Sequence, residues 1–213
     1  MNKEKNVIRY YVLCNKLKDV VRTGWKDWNV KRERKESVAE HIYSTQMLAI
    51  AIHSEFEYDL DIRKIVYMLA IHELEEIIIG DLTMFQITKE EKRKKGIEAV
   101  NNVLGNMIRK EEILELINEF EERKTNEAKF AYYCDKLECD LQCKLYDEEG
   151  CVNIDDNNTN INDDKVIKLL ESERTWSDMW LSFSQDAYGY DDNFLKISNY
   201  AKNNSIKDVL KNE

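Results

Sequence analysis

No proline occurs in the 213 residues of this chain, and only six glycines are present. These two residue types most often end helices and form tight turns. Hydrophobic residues make up 43% of the chain and charged residues 35%, which is enough for a core and for a solvated surface. No alternating, strand-like pattern of convincing length accompanies this composition. We therefore predict an all-α fold with long helices and short connections.

The length suits one large domain rather than two. Helical periodicity covers most of residues 1–150 and returns over residues 165–213. The intervening segment, residues 151–164, is crowded with Asn and Asp and has little to bury, so we predict a mobile surface loop there. The predicted organisation is a helical core over 1–150, this loop, and C-terminal helices over 165–213 that pack on the core.

Several helix ends are marked by capping residues. The apolar spacing predicts a first helix that ends near Val21. Ser37 followed by Glu40, and Thr88 followed by Glu91, have the spacing of a capping box, in which each side chain bonds the backbone of the other. Asp59 or Asp61 can begin another helix. These signals predict where three helices start.

The formal net charge of −10 disfavours a nucleic acid polymer or an anionic membrane as partner, because each would be repelled. A small anionic substrate is still compatible with this charge, since a local cation or metal can dominate a pocket. Five cysteines are an odd number without a disulfide-like spacing. The charged N-terminus does not look like a signal peptide, and the apolar runs are too short to span a bilayer. We therefore expect a cytoplasmic protein.

The segment that carries the most chemistry begins at His72, one of three histidines in the chain. Glu73 and Glu76 follow within one helical turn, and Gly80 permits a sharp turn that can return Asp81 toward the same point. Imidazole beside carboxylate oxygen is a ligand set for divalent metals. The alternative is a solvated acidic face with His72 incidental.

Two distant residues can complete such a site. His41 lies near the start of a predicted helix and can face His72, or it can be structural. Asp135 lies in an otherwise apolar helix, where an acid is costly to bury unless it binds a metal or forms a salt bridge, for instance with Lys136 of another copy or a nearby arginine. His53 lies about 18 Å along the helix from His41 and is expected to be structural.

Arg22 and Trp25 sit together in a short glycine-containing segment. A guanidinium can grip a phosphate, and an indole can stack on a base or sugar. The alternative is a helix-terminal arginine beside a packed indole. Both remain open.

In this order, the segments resemble the HD-domain metal-dependent phosphohydrolases, and especially their 5′-deoxynucleotidase branch. The matching residues are Leu17 with Arg22–Trp25, Glu36–His41, His72–Asp81, and Asp135–Glu138 with Leu141 and Gln142. The resemblance covers roughly residues 10–147. It implies a single HD-domain helical bundle extended by C-terminal helices, and a homodimer.

The resemblance also implies roles for individual residues. The implied ligands of a divalent ion, whether Mn, Co, Mg, Zn or Fe, are His41, His72, Glu73 and Asp135. Glu76 and Asp81 would be the catalytic carboxylates, or would hold a second ion. Arg22 would orient the phosphate, and Trp25 would lie near the sugar. One position departs from the family pattern, which has a His-Asp pair where this chain has His72 and Glu73.

The implied function is removal of the 5′-phosphate from (deoxy)nucleoside monophosphates. One alternative is an HD-domain hydrolase of another phosphomonoester or of a phosphodiester, because a fold does not choose among phosphate chemistries. A different alternative is a metal-poor, degenerate binding protein, because Glu73 replaces the aspartate of the pair.

Overall fold

The computed structural model describes residues 2–83, 86–154 and 164–212. The described residues contain no β pairing beyond one antiparallel bridge between Val21 and Ser37. The helices are α1 (Lys3–Asn15), α2 (Thr23–Asp27), α3 (Val38–Glu55), α4 (Ile62–Ile71), α5 (Glu76–Ile79), α6 (Lys89–Leu104), α7 (Lys110–Glu122), α8 (Asn126–Glu148), α9 (Asp164–Ser172), α10 (Trp176–Ala187) and α11 (Asp192–Asn203). The predicted all-α fold is confirmed.

The chain groups into two compact units. The first consists of Met1–Trp25 and Lys35–Tyr132, and the second of Lys26–Arg34 and Tyr133–Glu213. The sequence-based division into 1–150, 151–164 and 165–213 stays a prediction. Most of its mobile loop, residues 155–163, lies outside the described residues.

The first unit has an aliphatic core. Helices α3 to α7 contribute its buried side chains, together with the 3-10 turn after α1 and the turn between α4 and α5. The buried members are Leu17, Val38, Ile71, Leu74, Ile77, Val100, Val103, Leu104 and Ile113. This core joins α3, α4, α5 and α6, the helices that carry the candidate site.

The second unit packs around aromatic rings. Trp28, Trp176 and Trp180 contact one another with ring centroids 5.5–6.2 Å apart. In the same unit, the buried carboxylate of Asp140 accepts hydrogen bonds from the hydroxyls of Ser184 (2.8 Å) and Tyr190 (3.4 Å). Burial raises the pKa of Asp140 well above its usual range. The two hydroxyl groups give its oxygens hydrogen-bond partners that burial would otherwise deny them.

The predicted helix starts are confirmed. Both capping boxes form, at Ser37 with Glu40 and at Thr88 with Glu91. Asp61 is the residue that caps α4, because its side chain accepts from the backbone N–H groups that follow it. Each cap satisfies donors that the first helical turn would otherwise leave unbonded.

The predicted end of the first helix was wrong. α1 ends at Asn15, not near Val21, and a short 3-10 turn follows at Lys16–Lys18. The backbone around Val21 is bonded elsewhere: Val38 donates its N–H to the carbonyl of Val20 (2.8 Å), and Arg22 donates to the carbonyl of Glu36 (3.0 Å). These non-local bonds replace the helical ones.

Among the described residues, every helix is too short or too polar to cross a lipid bilayer.

Candidate metal centre

The candidate site is built on the turn between α4 and α5. The sequence predicted that His72 and Glu76 share one helix, and this detail was wrong. α4 ends at Ile71, His72 caps it, and α5 begins at Glu76. The connecting backbone bonds span three residues instead of four, from Leu74 N–H to Ile71 and from Glu76 N–H to Glu73. This tighter winding accompanies burial of Leu74 in the core.

Three predicted metal ligands converge at this turn. His41 reaches it from the first turn of α3, just after the Ser37 cap. Oε1 of Glu73 lies 3.5 Å from Nε2 of His72 and 3.9 Å from Nε2 of His41. The two imidazole centroids are 5.5 Å apart, and both histidines are buried. The first unit therefore holds two ring nitrogens and a carboxylate oxygen around one point.

A hydrogen bond to the backbone orients the His72 ring for metal binding. Its Nδ1 lies 2.8 Å from the carbonyl oxygen of Leu69. A carbonyl only accepts hydrogen bonds, so Nδ1 is the donor, and in the neutral imidazole this tautomer has its lone pair on Nε2. Metal-binding histidines are commonly oriented by such a bond through the other nitrogen.

The spacing of these atoms fits a divalent ion. Ligand bonds of about 2.1 Å place adjacent ligand atoms about 3.0–3.4 Å apart in octahedral or tetrahedral geometry, and ligand atoms on opposite sides of the ion up to about 4.2 Å apart. The two distances from Glu73 fall within this range, and the candidate ligand atoms lie within 4.8 Å of one another. Glutamate in place of aspartate thus still brings an oxygen to both imidazoles.

Arg22 closes one side of this group. Its Nη1 lies 3.4 Å from Oε1 of Glu73, so the guanidinium and the imidazoles face the same carboxylate. Trp25, by contrast, is only 2% exposed, and its indole N–H donates to Oε2 of Glu36 at 2.7 Å. This geometry fits the packed-indole alternative, and a contact of Trp25 with a sugar stays a prediction.

Glu76 is the most deeply buried carboxylate of the turn, at 1% exposure. Its Oε1 lies 3.5 Å from Nζ of Lys92 on α6, and its Oε2 accepts no hydrogen bond from the described residues. Burial, with the negative charges of Glu73 and Asp81, raises the pKa of Glu76 well above its usual range. An acid held in this way is suited to donate a proton or to bind a cation.

Lys92 was missed by sequence reasoning. It lies in a run of charged residues that opens α6, and such a run normally indicates a solvated face. Burial acts to lower the pKa of Lys92, but the charges of Glu73, Glu76 and neighbouring carboxylates outweigh it and raise the pKa overall. Lys92 is therefore a cation beside the acidic turn.

Asp81 is fixed by the turn at Gly80, as the sequence suggested. Gly80 has φ of +74°, a conformation that a residue with a side chain rarely adopts. Thr23 then holds Asp81 twice, with its N–H donating to Oδ2 (2.5 Å) and its hydroxyl donating to the carbonyl oxygen (2.6 Å). The carboxylate is thereby brought beside the segment that carries Arg22.

Asp135 lies on α8 and is 4% exposed, as a ligand or a paired acid would be. Its Oδ2 is 2.9 Å from Nζ of Lys136, the next residue in the same chain. This ion pair lies within one chain and differs from the suggested pairs with Lys136 of another copy or with an arginine, and a role of Asp135 as metal ligand stays a prediction. His53 has its Nε2 3.0 Å from the carbonyl oxygen of Leu60, in keeping with a structural role.

Comparison with known proteins gives consistent matches. A family model for the HD domain matches residues 14–176. The chain is 36% identical over 153 residues to the 5′-deoxynucleotidase HDDC2 of Dictyostelium discoideum, covering 68% of this chain and 79% of that protein. It is 33% identical over 148 residues to the human 5′-deoxynucleotidase HDDC2, covering 68% of this chain and 70% of that protein.

Solved structures match over almost the whole chain. One is a predicted metal-dependent phosphohydrolase from Magnetospirillum magnetotacticum, with a TM-score of 0.68, 18% identity and 97% coverage of both chains. Another is a conserved hypothetical protein from Pyrococcus furiosus, with a TM-score of 0.62, 24% identity, and coverage of 92% of this chain and 99% of that one. At these identities the likeness concerns the fold.

Proposed function

The chain belongs to the HD-domain family, and on that premise we propose that it is a metal-dependent phosphohydrolase that removes the 5′-phosphate from (deoxy)nucleoside monophosphates. The observation that carries the proposal is the convergence of His41, His72 and Glu73 within one ligand shell. The names of the relatives support the substrate class, since those at 33–36% identity are 5′-deoxynucleotidases.

We propose that His41, His72, Glu73 and Asp135 hold the divalent ion. The family implies dependence on such an ion, and Mn, Co, Mg, Zn and Fe are all compatible with these nitrogen and oxygen donors. When bound, the ion supplies Lewis acidity toward a phosphoryl oxygen and toward water. That Glu76 and Asp81 bind a second ion stays a prediction.

The remaining residues divide between positioning and proton transfer. Arg22 faces the same point as the histidines and would clamp a phosphate, which matters because phosphoryl transfer depends mainly on position and electrostatics. Glu76 and Asp81 are the carboxylates we propose for taking a proton from water or giving one to the leaving 5′-oxygen. Thr23 keeps Asp81 in place for this task.

The test is a panel of nucleoside and deoxynucleoside monophosphates, assayed for phosphate release with added manganese, cobalt or magnesium. We expect release from at least one of them, loss of release with a chelator, and loss in His72→Ala. The panel should include sugar phosphates and a cyclic phosphodiester, because preference for either would favour the alternative substrates. If no compound of the panel released phosphate, the result would contradict the proposed phosphohydrolase activity.

We also propose that the protein is a cytoplasmic homodimer. The face of α1 that carries Val7, Ile8, Tyr11 and Val12 supports an interface, because all four side chains are more than half exposed. Size-exclusion chromatography with light scattering measures the mass of the protein in solution. A monomeric mass at micromolar concentration would contradict the proposed dimer. It would not bear on the proposed phosphohydrolase activity.

A further inference from the structure

Lys92 is brought to the acidic turn by the packing of α6 against α5. Gly96 lies four residues later on the same helix face. A Cβ at position 96 would lie 3.6 Å from Cγ of Glu75, so this face of α6 packs at contact distance against the residue that precedes α5. One turn before this contact, Lys92 extends its ammonium to Glu76.

The contacts of Lys92 leave it able to bind a ligand. Its Nζ is 3.5 Å from Oε1 of Glu76 and 3.3 Å from the carbonyl oxygen of Leu82. Both distances exceed the roughly 2.7–2.9 Å of a close charge-assisted hydrogen bond. The side chain is 34% exposed, and an ammonium has three donors. Lys92 therefore reaches from a buried carboxylate toward solvent.

The charge around the turn requires cations for any anionic substrate. The carboxylates of Glu73 and Asp81 would repel a phosphate dianion, and the negative charge of the whole chain adds to this repulsion. Arg22 contacts Glu73, and Lys92 contacts Glu76, at similar distances of 3.4 and 3.5 Å. Glu73 and Glu76 thus each have a neighbouring cation, and both contacts are long enough for the cation to turn toward a phosphate oxygen instead.

We propose that Lys92 is a substrate-binding residue that holds the phosphate group of the substrate together with Arg22. This inference rests on the function proposed above and names a residue that neither the sequence motifs nor the metal ligands include. A structural ion pair with Glu76 is the competing explanation. The two differ in what they do to ligands with and without a phosphate.

The experiment compares Lys92→Ala and Lys92→Arg with Lys94→Ala. Lys94 lies on the same helix and is exposed, so its variant removes the same charge away from the turn. Competitive inhibition by inorganic phosphate and by the product nucleoside is measured for each protein. Far-UV circular dichroism and metal content confirm that the variants are folded and loaded.

In Lys92→Ala we expect KM for the monophosphate and the inhibition constant for inorganic phosphate to rise about tenfold or more, the size expected for a lost hydrogen bond to a charged group. The inhibition constant for the nucleoside should not change, because it has no phosphate. Lys92→Arg should recover most of the loss, and Lys94→Ala should match the wild type. Equal weakening of both inhibitors, or of neither, would overturn the proposal.

Failure of the inference can be separated from failure of the function. If the wild type releases no phosphate from any monophosphate, the proposed function fails. Calorimetric titration of the metal-loaded proteins with inorganic phosphate then decides about Lys92. Weaker binding by Lys92→Ala than by Lys94→Ala supports it, and equal or absent binding contradicts it.

Discussion

Thr23 holds Asp81 at two points, through a 2.5 Å bond from its N–H to Oδ2 and a 2.6 Å bond from its hydroxyl to the carbonyl oxygen. One residue therefore fixes both the backbone and the side chain of a proposed catalytic carboxylate. The two contacts can be separated experimentally, because a substitution at position 23 removes the hydroxyl and keeps the N–H.

Thr23→Val should lower kcat about tenfold while reducing the free energy of unfolding by only about 0.5–1.5 kcal/mol, because one neutral hydrogen bond is lost but the carboxylate contact remains. Thr23→Ser keeps a hydroxyl and should retain most activity. Steady-state kinetics and urea unfolding provide the two readings. Equal activity of the valine and serine variants would show that the hydroxyl does not position Asp81.

Glu73 should bind metal without reversion to the family's aspartate. Its oxygen already lies within a ligand shell of both imidazoles, at 3.5 and 3.9 Å. We expect about one divalent ion per chain in protein grown with manganese, and about 10–100-fold weaker affinity in Glu73→Gln, which loses the anionic ligand. Elemental analysis and a competing chelator measure both.

Glu73→Asp provides the matched comparison, because it restores the family pair and shortens the side chain. We expect it to bind no more metal than the wild type. Metal-free wild type combined with metal and activity in Glu73→Asp would instead support the degenerate binding protein.

Two glycines, one inside α6 and one directly after its last residue, should respond oppositely to substitution by alanine. Gly96 is in the helix interior, and its new Cβ would make ordinary contact with Glu75 at 3.6 Å. Gly96→Ala should therefore raise the free energy of unfolding by about 0.5–1 kcal/mol, the gain expected for alanine over glycine inside a helix.

Gly105→Ala is the opposite case. Gly105 has φ of +54°, and a Cβ there would lie 3.0 Å from Nη1 of Arg9, whose guanidinium donates to the carbonyl of Val103. We expect a loss of about 1–2 kcal/mol. Thermal unfolding of both variants would show shifts of about 2–4 °C per kcal/mol for a chain of this size. A stabilised Gly105→Ala would contradict the helix-end geometry.

Glu148 should make stability depend on pH. Partial burial acts to raise the pKa of Glu148, but the backbone N–H groups of Lys207 and Ile206 and the hydroxyl of Ser205 outweigh it and lower the pKa below its usual 4.5. A lowered pKa in the folded state means that the carboxylate adds stability above the unfolded pKa. This contribution is lost as the pH falls through the folded pKa.

Glu148→Gln should therefore be less stable than the wild type by about 1–2 kcal/mol at pH 7, and the difference should shrink as the pH falls below 4.5. Urea unfolding at several pH values measures this difference. Glu149→Gln, at the next position, serves as a control whose effect on stability should be smaller. A difference that is constant between pH 7 and pH 3 would show that Glu148 acts by packing alone.

Local signals made the helix starts predictable. The capping boxes at Ser37 and Thr88 and the cap at Asp61 depend on residues within one turn, so the sequence contains the whole interaction. The backbone around Val21, where the first helix was predicted to end, is bonded instead to Glu36 and Val38, which are far from it in sequence. Periodicity could not anticipate these bonds.

The same distinction applies to the candidate site. The motif resemblance predicted His41, His72 and Glu73, and the first unit brings them together. It did not predict the turn that separates His72 from Glu76, since residues 71–79 are equally compatible with one helix. Lys92 has no sequence signal, because only the close approach of α6 to α5 distinguishes it from its charged neighbours.

The four tryptophans are unevenly shared between the two units, and this gives the protein an internal optical reporter. Trp28, Trp176 and Trp180 form one contact group in the second unit, whereas Trp25 is buried in the first and bonded to Glu36. Total emission will mainly follow the second unit during denaturation. Trp25→Phe removes the tryptophan signal of the first unit, so the difference between the two emission spectra can follow the unfolding of the first unit separately.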